Sequence, residues 1–182
     1  MLAFVAAAGL TVSACSNSEG GTPQSSVDGS TSVPGSSIVE SSESADAASV
    51  SELDPCSVLA VEEISEHAKV QQPEHTTVGG APTCTWPAQA QDTAALVPTP
   101  SVAIRDKGGV QDMNDIGRGV QFTTEDGRDY AQAAGHGNCN IAIGVTEKTR
   151  VDIMVTSAET TEKACELANT LTELAEPRVP QG

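Results

Sequence analysis

The most regular alternation of apolar and polar residues in the chain lies between residues 139 and 156. The apolar positions form two alternating runs: Cys139, Ile141, Ile143 and Val145, then Val151, Ile153 and Val155. The segment Thr-Glu-Lys-Thr separates the two runs. A period of two is typical of strands with one buried face, so this segment predicts a β-hairpin with one apolar face.

A different period follows the hairpin. Small and aliphatic residues recur at steps of three and four: Ala164, Leu167, Ala168, Leu171, Leu174 and Ala175. This spacing is typical of an amphipathic helix, and Pro177 ends it. We expect the helix to cover the apolar face of the hairpin.

Shorter stretches predict further strands at residues 83–88, 101–105 and 128–133. The last of these is entered through an Asp126-Gly127 turn. In the first strand, Cys84 and Trp86 stand two residues apart and should point to the same face. A lone Trp beside a Cys is more often a core residue than an exposed contact residue, so we expect Trp86 inside.

A helix start is indicated by Asp54-Pro55, a candidate N-cap followed by proline. It predicts a helix or two short helical turns that end at Gln71-Gln72-Pro73, and residues 107–119 predict a loop or a short helix. Residues 51–182 thus predict an α+β fold. It combines a small antiparallel sheet, a C-terminal helix packed on one face and an N-terminal helix.

The N-terminus has the features of an export signal. Residues 2–12 form an uncharged apolar run, shorter than the about 20 residues that span a bilayer. The run ends in Val12-Ser13-Ala14-Cys15, which resembles the lipobox of bacterial lipoproteins, whose Cys is lipidated before cleavage. We predict a signal peptide over residues 1–14 and lipidation of Cys15. Because no Lys or Arg precedes the apolar run, we expect the true start of translation to lie upstream.

Residues 15–50 are rich in Ser and Gly and, after Cys15, carry five acids and no base. Such a composition cannot form a core, so we predict a lipidated, disordered acidic tether. Membrane surfaces are mostly anionic, and an acidic chain would be repelled by them. Retention at the extracytoplasmic face of the cell membrane must then come from the acyl chains.

Setting Cys15 aside leaves an even set of four cysteines: Cys56, Cys84, Cys139 and Cys165. Four cysteines allow three connectivities, and an exported protein can form disulfides. We favour Cys56 with Cys84 and Cys139 with Cys165, because each pair closes a short loop and joins a helix to a strand. A metal site made of these thiols is the rival interpretation, and their long, irregular spacings disfavour it.

The formal charge of −16 and the presence of only four aromatic residues exclude nucleic acid as a partner, since neither a basic surface nor a stacking platform exists. Candidate metal ligands are weak. Glu63 and His67 stand at i and i+4, with His75 a short loop away, but no zinc motif supports them. Asp112 and Asp115 lack the oxygen pattern of a calcium loop. We expect no metal or cofactor.

Nucleophilic catalysis also finds little support in the sequence. His136 lies near Cys139, but a Cys in a disulfide cannot attack a substrate. The sequence contains no Gly-x-Ser-x-Gly elbow, no phosphate-binding Gly-rich loop and no dinucleotide fingerprint. We therefore do not expect an enzyme.

Several segments resemble one known family. They are the lipobox, the acidic tether, Asp54-Pro55-Cys56-Ser57-Val58-Leu59, Cys84-Thr85-Trp86 and Ala164-Cys165-Glu166-Leu167-Ala168. They are similar to the actinobacterial lipoproteins that carry the domain of unknown function 3558. The resemblance implies a cell-envelope lipoprotein with no assigned activity, and it brings no catalytic residues.

The sequence favours a binding or interaction module whose partner is an envelope protein or a small ligand. Two alternatives stay open: an envelope-acting hydrolase and a passive structural surface lipoprotein. The hydrolase requires a cleft that brings His75 or His136 together with a carboxylate such as Glu74 or Asp129. A deep pocket with a displaced pKa would favour the enzyme, an apolar cavity a small ligand, and a flat acidic face a protein partner.

Overall fold

Residues 50–89 and 96–182 are described by a computed structural model. Their seven strands form one antiparallel sheet in the order β1-β2-β3-β7-β6-β5-β4. The strands are β1 (Glu74–Val78), β2 (Ala81–Thr85), β3 (Thr99–Arg105), β4 (Val120–Glu125), β5 (Arg128–Gly135), β6 (Asn138–Thr146) and β7 (Thr149–Thr156). The α-helices are α1 (Val61–Ser65) and α2 (Thr161–Ala175), and 3-10 turns lie at Pro55–Ser57, Val110–Asp112 and Glu176–Arg178.

Tight two-residue turns set the register of the sheet. Gly79-Gly80 joins β1 to β2 and Asp126-Gly127 joins β4 to β5, each with positive φ at both residues. Two successive positive φ angles define the type I′ turn, whose twist matches that of the strands it joins. The predicted Asp126-Gly127 turn is thereby confirmed, and so is the predicted hairpin of β6 and β7.

One face of the sheet carries the main core. Ile141 pairs with Ile153 and Ile143 with Val151 across the hairpin, and the apolar side chains of β3 continue the row. Buried residues of α2 pack on this face, which confirms the predicted covering helix. Cys84 and Trp86 are both fully buried in the same core, as predicted.

The segment after Asp54 does not form one helix. A 3-10 turn at Pro55–Ser57 is followed by an extended Ala60 and then by the five residues of α1. The N-terminal helix of the expected fold is therefore not supported, and two short helical segments take its place. Val50, which the sequence analysis assigns to the tether, is fully buried in the core. The signal peptide, Cys15 and the rest of the tether lie outside the described residues.

The loop between β3 and β4, residues 106–119, covers the opposite face of the sheet; we call it the covering loop. Val110 and Met113 pack there on three alanines of the sheet: Ala131, Ala133 and Ala142. Small residues let the loop lie close. A Cβ atom on Gly109 would stand 2.1 Å from the Glu147 carbonyl oxygen, and one on Gly135 would stand 2.2 Å from that of Ile116.

A buried ion cluster also lies on this face. The carboxylate of Asp152 accepts hydrogen bonds from Nε of Arg105 at 2.9 Å and from Nε of Arg150 at 2.7 Å. Arg105 also donates to the Val78 carbonyl in the β1–β2 region, and Arg150 donates to the Gly108 and Gly109 carbonyls of the covering loop. Through these two arginines, the Asp152 carboxylate links the β1–β2 turn and the covering loop to the middle of the sheet.

Both predicted disulfides are present. Cys56–Cys84 joins the first 3-10 turn to β2, and Cys139–Cys165 joins β6 to α2, each with a Cα–Cα distance of 5.0 Å. None of the helices in the described part of the chain has the length and apolar character needed to cross a bilayer.

Candidate functional site

A polar groove runs between α2 and strands β5 and β4, which end the sheet on one side. We call it the α2–β4 groove. It arises because α2 packs mainly on β6 and β7 and leaves β5 and β4 largely uncovered. The cavity has a volume of about 350 Å³. Its lining residues are Gln121, Phe122, Thr123, Glu125, Tyr130, Ala131, Gln132, Ile141, Asn169, Thr172, Glu173 and Glu176.

The groove is acidic. Its lining includes Glu125, Glu173 and Glu176 and neither Lys nor Arg. The Tyr130 hydroxyl donates a hydrogen bond to the Glu176 carboxylate, and Nε of Arg128 lies 4.0 Å from the same oxygen. The Glu173 side chain is exposed on α2. The groove therefore presents negative charge that its own lining does not neutralise.

Tyr130 is the titratable group with the largest perturbation in the groove. Burial, followed by the hydrogen bond to Glu176, raises the pKa of its phenol well above the ordinary value of 10.0. A phenol with a raised pKa stays protonated at neutral pH, so Tyr130 acts as a hydrogen-bond donor and not as a general base.

A smaller cavity of about 230 Å³ extends the groove toward the start of α2, because Gln121 and Gln132 line both. Here Nη1 of Arg118 lies 2.8 Å from a Glu162 carboxylate oxygen. The hydrogen bond from Arg118 lowers the pKa of Glu162, so the pair stays ionised at neutral pH. The Arg118 charge is thus largely matched by its own neighbour.

The outer edge of β4 borders the groove. In a two-residue hairpin the residues that flank the turn exchange hydrogen bonds, so Glu125 bonds with Arg128 and alternate residues follow. The N–H and C=O groups of Val120, Phe122 and Thr124 therefore point away from the sheet. Within the described residues no segment pairs with this edge, and the Phe122 side chain is 49% exposed.

A larger cavity, of about 730 Å³, lies at the turn ends of the β4–β5 and β6–β7 hairpins and is also lined by Gln181 and Gly182. The buried Arg128 guanidinium stands in its wall and donates through Nη2 to the Val179 and Pro180 carbonyl oxygens. Its Nη1 has no hydrogen-bond partner. Asp126, Asp129 and Glu147 share the lining, so the cavity is not a basic pocket.

His75 lies beside a disulfide. Its Nδ1 is 3.8 Å from Sγ of Cys56, and the Asp54 carboxylate caps the Cys56 N–H at 2.9 Å. These three residues form the one group of possible metal ligands among the described residues. Because Sγ of Cys56 is bonded to Cys84, it offers no thiolate, so the group keeps only Asp54 and His75, fewer than the three protein ligands of a zinc site.

The other weak metal candidates are not assembled either. The Glu63 carboxylate is engaged by Arg178 at 2.6 Å and by the Ala60 N–H, and α1 ends before His67. One oxygen of Asp115 accepts the N–H groups of Gly117 and Gly119 and so closes a turn of the covering loop, which lowers the pKa of Asp115.

The residues of a hydrolase cleft stay apart. His136 lies in the turn after β5, whereas Asp129 lies near the start of β5, about 23 Å away at the rise of a strand. Asp129 accepts a hydrogen bond from Thr124 instead. Glu74 and His75 are neighbours on one strand and point to opposite faces. No histidine lines any of the three cavities described above.

Neither the groove nor β4 is predicted from the sequence. The available signal was the run Val-Gln-Phe-Thr-Thr-Glu directly before Asp126-Gly127, a β-rich segment that leads into a favoured hairpin turn.

Comparison with known proteins gives one match. Residues 10–178 match the family described as "Protein of unknown function (DUF3558)". Neither the curated proteins nor the solved structures give a match.

Proposed function

Because the chain belongs to the DUF3558 family, whose description carries no activity, we propose from its own residues that it is a lipid-anchored envelope protein with a binding module. Cys15 is the anchor, the residues from there to residue 49 are the tether, and residues 50–182, which include the buried Val50, bind a partner outside the membrane of an actinobacterial cell.

The anchor rests on the order of three sequence features. An uncharged apolar run is followed at once by Val12-Ser13-Ala14-Cys15 and then by a Ser-rich segment without a base. Two acyl chains on one Cys suffice for stable attachment, whereas a single chain binds only marginally.

The binding role is carried by one observation: the α2–β4 groove, with three Glu side chains and no basic residue in its lining, lies beside a strand edge that no other described segment pairs with. Residues 50–182 hold 20 Asp and Glu against nine Lys and Arg. At least six of those cations form ion pairs with described carboxylates of the same chain: Arg105, Arg118, Arg128, Arg150, Lys163 and Arg178. The surplus acids leave a surface suited to a basic partner.

A hydrolase is less well supported. It needs a base near neutral pKa within reach of a nucleophile or a water in one cleft. The histidines of the described part of the chain line none of the three cavities above, and the Tyr130 pKa is displaced away from neutrality.

The anchor is tested by growing an actinobacterial host with labelled palmitate and comparing the protein that carries residues 1–182 with its Cys15→Ser variant. We expect label and membrane fractionation for the parent only. Label in both proteins, or in neither, would refute the anchor.

The binding role is tested with the Cys15→Ser form as bait in detergent-solubilised envelope. We expect a specific partner that is eluted by salt, since the surface carries a surplus of acids that would attract a basic partner by charge. A surface without a partner would yield only what a control bait of equal charge yields, and that result would favour the passive structural alternative.

A further inference from the structure

We propose that β4 and the α2–β4 groove together bind an extended basic segment of a partner protein, which adds to the sheet as a strand beside β4. The inference rests on the proposed binding function and specifies its partner. Strand addition takes affinity from main-chain hydrogen bonds and specificity from alternate side chains.

The main-chain step follows from the register of β4. The outward N–H and C=O groups of Val120, Phe122 and Thr124 offer a ladder at the normal strand spacing. Natural proteins usually block such an edge with Lys, Pro or a bulge. The β4 sequence Val-Gln-Phe-Thr-Thr-Glu contains neither Lys nor Pro, and its pairing with β5 has no register shift.

The side-chain step follows from what lies next to that edge. Gln121 and Thr123 pair with Gln132 and Tyr130 of β5, and all four line the groove. Every second side chain of an added strand would point to the same side, toward the carboxylates of Glu173 on α2 and of Glu176 in the 3-10 turn that follows it. Lys or Arg at alternate positions would meet these groups.

Opposite charge identifies the occupant. A second copy of the chain would bring the same surplus of acids to the groove and would be repelled. The chain's own residues 16–50 hold five acids and no base, so they cannot supply the basic segment. A basic segment of another protein is the occupant that matches the groove.

The second free edge, β1, is a poorer site. None of the cavities above is lined by a β1 residue, so no acidic groove lies beside it. This edge provides a matched control.

The experiment uses the chain from residue 15 with Cys15→Ser and a fluorescent peptide of about nine residues in which Lys alternates with Thr or Val. Two control peptides have Glu in place of Lys, or the same residues with all Lys at one end. We expect binding of the alternating basic peptide, weaker binding of the clustered one and none of the acidic one. Affinity should fall as salt is added.

Five variants test the main-chain step and the side-chain step separately. Glu173→Gln should weaken binding about threefold, whereas Glu166→Gln, exposed on α2 outside the groove, should not. Thr124→Pro removes an outward N–H without breaking the ladder to β5, and should weaken binding about tenfold. Thr124→Val keeps that N–H and should bind as the parent does. Thr77→Pro, the equivalent change in β1, should also leave binding unchanged.

Hydrogen exchange gives a readout that charge attraction alone cannot produce. On peptide addition, the amides of Phe122 and Thr124 should become protected, while the amide of Thr77 should not. Circular dichroism checks that each proline variant is folded.

Bound peptide without protection at β4, or equal affinity for parent, Thr124→Pro and Glu173→Gln, would overturn the proposal. Dimerisation of the free protein that Thr124→Pro abolishes would also overturn it and would make a second copy the occupant. Either result leaves the palmitate and envelope-capture experiments intact, so failure here is distinguishable from failure of the proposed function.

Discussion

Replacing Asp152 by asparagine removes one negative charge from the buried ion cluster while it keeps the size of the side chain. The Asp152 side chain is only 1% exposed, and it is the shared partner of Arg105 and Arg150. In the variant, two guanidinium groups packed against the sheet lose their counter-charge. The reasoning concerns stability alone, because the cluster lies outside the α2–β4 groove.

The expected loss of stability is estimated from the two hydrogen bonds that Asp152 accepts from Arg105 and Arg150. Hydrogen bonds to charged groups contribute about 1.5–3 kcal/mol each, and the Asn side chain keeps at most one good acceptor. Removal of one partner of a buried pair costs about 3–5 kcal/mol in other proteins. We therefore expect Asp152→Asn to lower the free energy of unfolding by about 3 kcal/mol, a large share of the usual 5–15 kcal/mol.

The assay is urea unfolding at pH 7 followed by the fluorescence of Trp86, the single Trp of the chain and a fully buried one. The control is Glu159→Gln, which breaks an exposed ion pair with Lys163 and should leave the midpoint unchanged. A loss below about 1 kcal/mol for Asp152→Asn, the value of one ordinary hydrogen bond, would refute the role given to the cluster.

Three further predictions concern the packing of α2. The Cys139–Cys165 bridge spans 26 residues, and the loop-entropy model assigns about 3.5 kcal/mol to a loop of that length. Replacing both cysteines by Ala should therefore lower the free energy of unfolding by about that amount in the same urea assay. An unchanged midpoint would contradict this expectation. Leu171→Ala opens a cavity under the fully buried helix face and should cost about 2–5 kcal/mol, seen as a lower melting temperature in calorimetry. The hydrogen bond from Arg178 lowers the pKa of Glu63 in the folded chain, so this pair contributes fully above the unfolded pKa of about 4.3 and is lost as the pH falls through the lower folded value. The stability difference between parent and Glu63→Gln should thus shrink on acidification below about pH 4.3, and a difference constant across that window would be inconsistent with the linkage.

The hairpin and α2 could be predicted because each carries its own periodicity. Cysteine, isoleucine or valine recurs at every second position of the two runs that contain Ile141 and Ile153, and the apolar residues of α2 repeat at helical steps. The pairing of the cysteines followed from the same elements, since Cys139 shares the parity of Ile141 and Cys165 borders the helix stripe. These features depend on nearest neighbours in sequence.

The edge strands could not be found this way. All five residues of β1 are exposed, and β4 has only one partly buried residue, so neither has an apolar alternation. Their positions depend on pairing with a buried neighbour. The ion cluster could not be predicted either. Arg150 and Asp152 alternate with Val151 and Ile153, a pattern that predicts a solvent-facing side for the charged residues. The covering loop buries them instead.

The groove could not be predicted because it is created by the position of α2 on the sheet. It depends on where α2 lies across the sheet, and α2 is positioned by contacts distant in sequence, such as that of Arg178 with Glu63. Gln121, Tyr130 and Glu173 carry no motif that marks them as neighbours.

The close approach of the covering loop to the sheet constrains how relatives of this chain can vary. Gly109 has φ −75°, an angle open to any residue, yet a methyl group there would overlap a carbonyl oxygen, and Gly135 meets the same obstacle. Selection for folding alone should hold both positions as glycine across the family. Invariant glycines at these two sites would record a steric limit, and evolutionary searches for an active centre should set them aside.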